Sequence, residues 1–276
     1  MIKGEPRMNV RLAVLTLLFL LPTSSSYGLD KNPVTVLMYH HFDEDPTKAS
    51  SAVIHPETFR EQLLTLKEAG YTSIPERDFY DHLYNGKELP ALPLVITIDD
   101  GYVSNYEFAY PILKELEIYA TIYVVTSYRG EKPGWNEHFS WEQAREMKES
   151  GWIEIQGHTH NGHGDIATGK KDGPFLVTVA AEETKELYQE RIYKDLTEAK
   201  QLLEKEIDNE FYSFAFPFGL YNKEVVGFAE DIGYELMYTV KPGRTFSYQN
   251  PHTIKRLNAS GEYSGEELLK AVKSLP

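Results

Sequence analysis

The stretch Leu94-Val95-Ile96-Thr97-Ile98-Asp99-Asp100-Gly101-Tyr102 decides the fold. An apolar, β-branched run ends in two adjacent carboxylates and a glycine. Such a run without alternation reads as a strand of a parallel sheet covered on both faces. Two carboxylates at the end of a buried strand are costly unless a cation, a hydrogen-bond network or chemistry holds them. Gly101 permits a sharp backbone turn there, so that both side chains can face one pocket. A plain Asp-Gly turn leading into the next helix is the simpler alternative. The rest of the chain decides between the two.

Outward from this strand, strand-like and helix-like segments alternate. Strands are expected at Val34–Tyr39, Ala120–Val125, Trp152–Gln156, Phe211–Phe216, Glu235–Val240 and Ile254–Asn258. Helices are expected at Pro56–Ala69, Asp78–Tyr84, Tyr106–Leu116, Glu182–Glu206 and Lys223–Asp231. Ser140 with Gln143 and, near the end, Ser264 look like helix N-caps. This alternation predicts an α/β protein with a mostly parallel sheet. The stretch from Gly164 to Ala180 lacks a helical period and is expected to be a loop or hairpin beside the site.

Composition narrows the function classes. The chain has 276 residues, 41% hydrophobic and 25% charged, with 28 Lys+Arg against 42 Asp+Glu and a net charge of −14. That balance argues against nucleic acid or an anionic membrane surface as a partner. There is no cysteine, so any metal must sit on histidine and carboxylate. Lys3, Arg7 and Arg11 precede an apolar run from Leu12 to Leu21, and Ser26-Tyr27-Gly28 fits a small-x-small cleavage site. This layout predicts a signal peptide over 1–28, one domain over 29–276, and a secreted or cell-surface protein, the alternative being an uncleaved anchor. Nothing in the sequence signals a protein partner or an oligomer, and a monomer is expected.

Four further stretches carry candidate chemistry. Gln156-Gly157-His158-Thr159-His160-Asn161-Gly162-His163 follows a strand, where parallel α/β folds place their sites. His163 lies at i+5 from His158, so a loop rather than a helix face would bring them together. Two imidazoles and one carboxylate form a three-ligand site with open positions, as in catalytic zinc centres. Asp100, His158 and His163 would serve, with His160 as an alternative to His163. Asp99 is then free to act as general base. Met38-Tyr39-His40-His41 also ends a strand. His40 is either a proton donor to a departing amine or a core histidine bonded to backbone. Phe214-Ala215-Phe216-Pro217-Phe218-Gly219 ends at a turn where the Phe218 N–H could face an oxyanion. Arg256 needs a carboxylate if buried, and Asp99 is the candidate. Trp135, Phe139 and Tyr221 are aromatic side chains that could stack on sugars or simply belong to the core.

Taken together, these residues resemble the polysaccharide deacetylases of carbohydrate esterase family four, the NodB-homology group, over nearly the whole chain from Val34 onward. Thr97-Ile98-Asp99-Asp100-Gly101 is similar to the family's T-F-D-D-G motif. His158-Thr159 through His163 is similar to its H-[ST] metal motif. The i+5 spacing and the Met-Tyr-His-His opening resemble the branch that deacetylates poly-N-acetylglucosamine of biofilm matrix, the IcaB and PgaB type. The resemblance implies a distorted (β/α)7 barrel with the site at the C-terminal strand ends. It implies one divalent metal ion, zinc first, with cobalt, nickel, iron or manganese as alternatives, on Asp100, His158 and His163. It implies Asp99 as base, His40 as acid, Arg256 in place of the usual motif arginine, and the Phe218 amide at the oxyanion. The implied substrate is an N-acetylglucosamine polysaccharide, most specifically the β-1,6-linked polymer. Peptidoglycan, chitin or xylan deacetylation, or a catalytically inactive carbohydrate-binding relative, are the alternatives.

Overall fold

The computed structural model describes Met1, residues 32–169 and residues 171–276. The expected leader over 1–28, its basic residues and its cleavage site lie outside the described residues apart from Met1. Among the described residues, no helix is long and apolar enough to cross a membrane.

The described residues from 32 onward build one eight-stranded sheet, two two-stranded sheets and seven α-helices. The strands are β1 (Thr35–Tyr39), β2 (Thr72–Ser73), β3 (Pro93–Ile98), β4 (Ala120–Val125), β5 (Ile153–Thr159), β6 (Ser213–Ala215), β7 (Leu236–Tyr238) and β8 (Leu257–Asn258). The helices are α1 (Pro56–Glu68), α2 (Glu76–Asn85), α3 (Tyr110–Leu116), α4 (Trp141–Glu149), α5 (Lys185–Ile207), α6 (Lys223–Ile232) and α7 (Gly265–Lys273). Neighbouring strands run in the order β7-β6-β5-β4-β3-β1-β8, with β2 paired to the start of β3. All these pairings are parallel. A bridge from Tyr238 to Ile254 ties the other side of the 254–258 segment to β7, so the sheet curls towards closure. This is the distorted barrel that the family resemblance implies.

Alternate side chains explain why β3 shows no polar face. Val95 packs with Val36 of β1 and Tyr123 of β4 on one face. Leu94, Ile96 and Ile98 pack on the other face with apolar residues of α1, α3 and α7. Both faces are covered, as a parallel sheet requires. Helix starts follow the expected caps. Ser140 and Gln143 form a capping box at α4, and Ser264 and Glu267 form one at α7.

Several boundaries differ from expectation, each for a local reason. The expected helix from Tyr106 begins as a wide π turn over Asn105–Ala109 before α3. β5 runs on to Thr159, because Gly157 pairs with Val124 of β4 and Phe214 of β6. A Cβ at Gly157 would lie 2.9 Å from the Tyr234 hydroxyl, so only glycine lets the strand pass there. His158 therefore sits on a strand and not in a loop. The 164–180 stretch contains a short hairpin, Asp165–Ile166 against Gly173–Pro174. Arg256 lies just before β8, which is shorter than the expected Ile254–Asn258 strand.

Candidate active site

The strand ends bring the expected residues to one place. β3 ends at Ile98, and the Asp99 amide donates to the Tyr39 carbonyl at 2.9 Å, which sets Asp99 beside the end of β1 and His40. Asp99 is 3% exposed. Its two carboxylate oxygens each accept from Arg256, Nη1 to Oδ1 and Nη2 to Oδ2, both at 2.7 Å. This fork-to-fork geometry is the strong form of the pair. Arg256 is wholly buried and also donates to Thr97 Oγ1 and the Thr239 carbonyl. Burial pushes the Asp99 carboxyl up, but the guanidinium outweighs it and holds the group below the usual carboxylate range.

Asp100 and Gly101 turn the chain with φ of 73° and 74°. The left-handed region suits glycine but costs an aspartate about 1–2 kcal/mol. That strain aims the Asp100 carboxylate at β5. Asp100 Oδ1 lies 3.4 Å from His158 Nε2 and 3.1 Å from His163 Nε2. His158 Nδ1 is 2.6 Å from the Ala215 carbonyl. A carbonyl only accepts, so Nδ1 carries the proton and Nε2 presents a lone pair to Asp100. Asp100 Oδ1 is buried with no hydrogen-bond partner. A carboxylate oxygen and an imidazole lone pair facing each other call for a cation between them. One ligand atom from each of Asp100, His158 and His163 lies within 4.8 Å of the others. The backbone bond to His158 Nδ1 is the usual support of a metal-bound imidazole. The donor set therefore fits a divalent ion.

His160 does not join this group. Its Nδ1 is 2.9 Å from Thr126 Oγ1 and its Nε2 faces Glu198 at 4.0 Å. The open choice between His160 and His163 thus falls geometrically to His163. His40 follows β1, its carbonyl held by Asn105 Nδ2 at 2.7 Å and its Nδ1 buried with no partner. Its neighbour His41 is 2.9 Å from Ser104 Oγ, an ordinary structural contact. Phe218 adopts φ 59°, ψ 9°, and its ring lies 4.9 Å from that of His163. Phe218 thus stands at the site with its backbone in a left-handed turn.

A cavity of about 240 Å³ opens on this centre, lined by Asp100, His163, Tyr102, Tyr128, Trp135 and His138. Trp135 is 96% exposed at its mouth. Phe139 is wholly buried and Tyr221 stacks on Phe216, so of the three aromatics only Trp135 stands free beside the centre. A larger groove of about 1040 Å³ runs alongside, between Tyr128 and α5. It shares Tyr128 and Pro133 with the smaller cavity but contains none of the three clustered ligand residues. The chemistry belongs to the smaller one.

Two buried charged residues hold the centre without belonging to it, and the sequence reading passed over both. Asp195 of α5 accepts from the amides of His160 and Asn161 at 3.0 and 2.7 Å. This pins the loop between His158 and His163. The signal was a carboxylate on the buried stripe of α5, between Ile192 and Leu196. Arg129, just after β4, donates to the carbonyls of Val125, Gly101 and Asp100. Its guanidinium lies over the Phe139 ring at 4.4 Å, and burial pulls its pKa down to about 9. His138 beside it is lowered to about 4 by burial and then by the Arg129 charge.

A sequence model of the polysaccharide deacetylase family matches residues 86–237. A poly-beta-1,6-N-acetyl-D-glucosamine N-deacetylase of Staphylococcus aureus is 25% identical over 93% of this chain and 94% of its own length. An Escherichia coli protein of the same description is 26% identical over 77% of this chain, which spans only 34% of that relative. Among solved structures, a de-N-acetylase from Aggregatibacter actinomycetemcomitans superposes with a TM-score of 0.77 at 22% identity, covering 86% of this chain and 99% of the other. IcaB from Ammonifex degensii gives 0.74 at 22% identity, over 88% and 97%. Both share the fold. The chain belongs to the polysaccharide deacetylase family of hydrolases.

Proposed function

We propose that this chain is a metal-dependent N-deacetylase that removes acetyl groups from N-acetylglucosamine residues of an extracellular polysaccharide, with poly-β-1,6-N-acetylglucosamine as substrate. The observation that carries the reading is the meeting of Asp100, His158 and His163 beside an Asp99 carboxylate already paired to Arg256. A divalent ion on the three ligands would polarise the acetyl carbonyl and lower the pKa of water there.

The chain's own residues supply the rest. Asp99, kept ionised by Arg256, accepts the proton of the attacking water. The Phe218 N–H, fixed by its left-handed turn, donates to the oxyanion that forms on the acetyl carbonyl oxygen as water attacks the carbon. His40 gives its proton to the departing glucosamine nitrogen, which leaves as an amine. Trp135 offers a flat apolar face for the sugar ring at the cavity mouth. The descriptions of the S. aureus and E. coli relatives support the choice of polymer. The N-terminal charge and hydropathy pattern supports export to the cell surface.

The test is acetate release from β-1,6-linked N-acetylglucosamine oligomers beside chitin oligomers and peptidoglycan, each with and without chelator. Chelator-sensitive release from the β-1,6 oligomers is the expected outcome. Release only from chitin or peptidoglycan would overturn the substrate, and release unaffected by chelator would overturn the metal.

A further inference from the structure

We propose that Arg129 is a positioning residue for the metal centre: its guanidinium clamps the Asp100–Gly101 turn in the conformation that aims Asp100 at His158 and His163. This rests on the metal reading above.

Asp100 and Gly101 are both left-handed, so their two carbonyls turn to the same side. Arg129 meets them together, Nη1 with the Gly101 oxygen at 2.7 Å and Nη2 with the Asp100 oxygen at 3.0 Å. Nε donates to the Val125 carbonyl at 3.2 Å, which ties the fork to the end of β4. That end carries the register shift where Val125 pairs with Thr159, one residue beyond His158. One side chain therefore spans the strand end behind Asp100 and the strand beside His158. Gly101 is shaped to it: a Cβ there would lie 2.5 Å from Nη1 and 2.8 Å from Nη2. Among the described residues no carboxylate forms an ion pair with Arg129, so its donors are spent on backbone. A planar fork matches two parallel carbonyls, whereas an ammonium can satisfy them only as a point charge.

Supports of this kind, which touch ligand residues without binding the metal, shift metal affinity about 10- to 100-fold. The experiment titrates zinc into the chelator-stripped full chain against a chromophoric competitor. It compares wild type, Arg129→Met, Arg129→Lys and Arg244→Met, and records the thermal midpoint of each. Arg244 is the control, since it likewise donates to a backbone carbonyl, that of Val272 in α7, which carries no ligand. The expected result is zinc affinity about 10- to 100-fold weaker in Arg129→Met, partly recovered in Arg129→Lys, and unchanged in Arg244→Met. KM for the oligomers should hold while kcat at limiting zinc falls. A folded Arg129→Met that binds zinc within twofold of wild type would reduce the residue to a packing role and overturn the inference. If Arg129→Met does not fold, Arg129→Lys decides: weakened zinc binding supports the clamp, and unchanged binding overturns it. A wild-type chain that binds neither zinc nor cobalt, nickel or manganese in the same titration would overturn the metal reading and this inference with it.

Discussion

Asp99 and Arg256 are the residues at which stability and proposed chemistry coincide. Each removes the cost of burying the other, and both are almost free of solvent. Removing one member of such a pair leaves an uncompensated buried charge and costs about 3–5 kcal/mol. Replacing both with neutral groups of similar shape is far less costly. Asp99→Asn should therefore lose two things together. Acetate release should fall by about 10²–10⁴-fold, the usual contribution of a general base. The urea midpoint should fall as well, since Arg256 is left unpaired. Arg256→Met should be similarly unstable. The double variant Asp99→Asn/Arg256→Met should regain much of the stability and none of the activity. A double-variant loss equal to the sum of the two single losses would show that the pair is not energetically coupled. The pairing of Arg256 with Asp99 was legible from the sequence, because a strand arginine in an apolar run needs an acid. Arg129 was not, because its partners are backbone carbonyls, which no residue type announces.

At the scale of elements, the loop from Thr159 to Gly162 decides which histidine joins the centre. Its amides at 160 and 161 point at Asp195 of α5, and the His160 carbonyl accepts from the Ser127 amide at 3.0 Å. Those bonds turn His160 outward and bring His163 back over Asp100. A Cβ at Gly162 would meet the Phe175 ring at 2.8 Å and Asp195 Oδ2 at 3.1 Å, so the loop has no spare room. Hydrogen bonds from amides to a buried carboxylate contribute about 1.5–3 kcal/mol each, and loss of the acceptor is offset where water can enter. The groove beside α5 is lined by Asp195 and admits water. Asp195→Ala should thus lower stability by about 1–3 kcal/mol. It should also speed hydrogen exchange at the 160 and 161 amides more than at the strand amides of β5. Unchanged exchange at those two amides would remove Asp195 as the anchor. The i+5 spacing predicted that a loop must fold two histidines together. It could not supply the anchor, which lies more than thirty residues on in another element. Element order was legible, apart from the two-residue β2, because hydropathy period and helix caps are local. The extension of β5 past His158 was not, because it depends on Gly157 fitting under Tyr234.

For the whole molecule, the end of the sheet away from the site holds a further buried acid. Glu76 opens α2 and is 1% exposed. It accepts from the Tyr123 hydroxyl and, at 2.8 Å, from Ser213 Oγ. Tyr238 and Glu154 also face it, and Glu154 is itself bonded by Tyr212 and the Arg77 amide. Burial, and then the Glu154 charge, raise the Glu76 carboxyl from 4.5 to about 7, against the hydroxyl bonds that lower it. The folded chain thus holds a proton that the unfolded chain has released between pH 4.5 and about 7. Stability from this group is greatest below the unfolded value and is lost as pH rises through the folded one. Each unit of such a shift corresponds to about 1.4 kcal/mol, so the loss is on the order of a few kcal/mol. Glu76→Gln keeps the shape, cannot ionise, and offers an amide donor to the surrounding hydroxyls. Its stability relative to wild type should therefore improve steadily from pH 5 to pH 8, read as the difference between paired urea melts at each pH. That window lies above the range where the depressed Asp99 carboxyl titrates, and any shared background cancels in the difference. A difference that stays flat across the window would mean that Glu76 is ionised in the folded protein at pH 5. The Glu76 cluster would then be a charged network sustained by its hydroxyl donors.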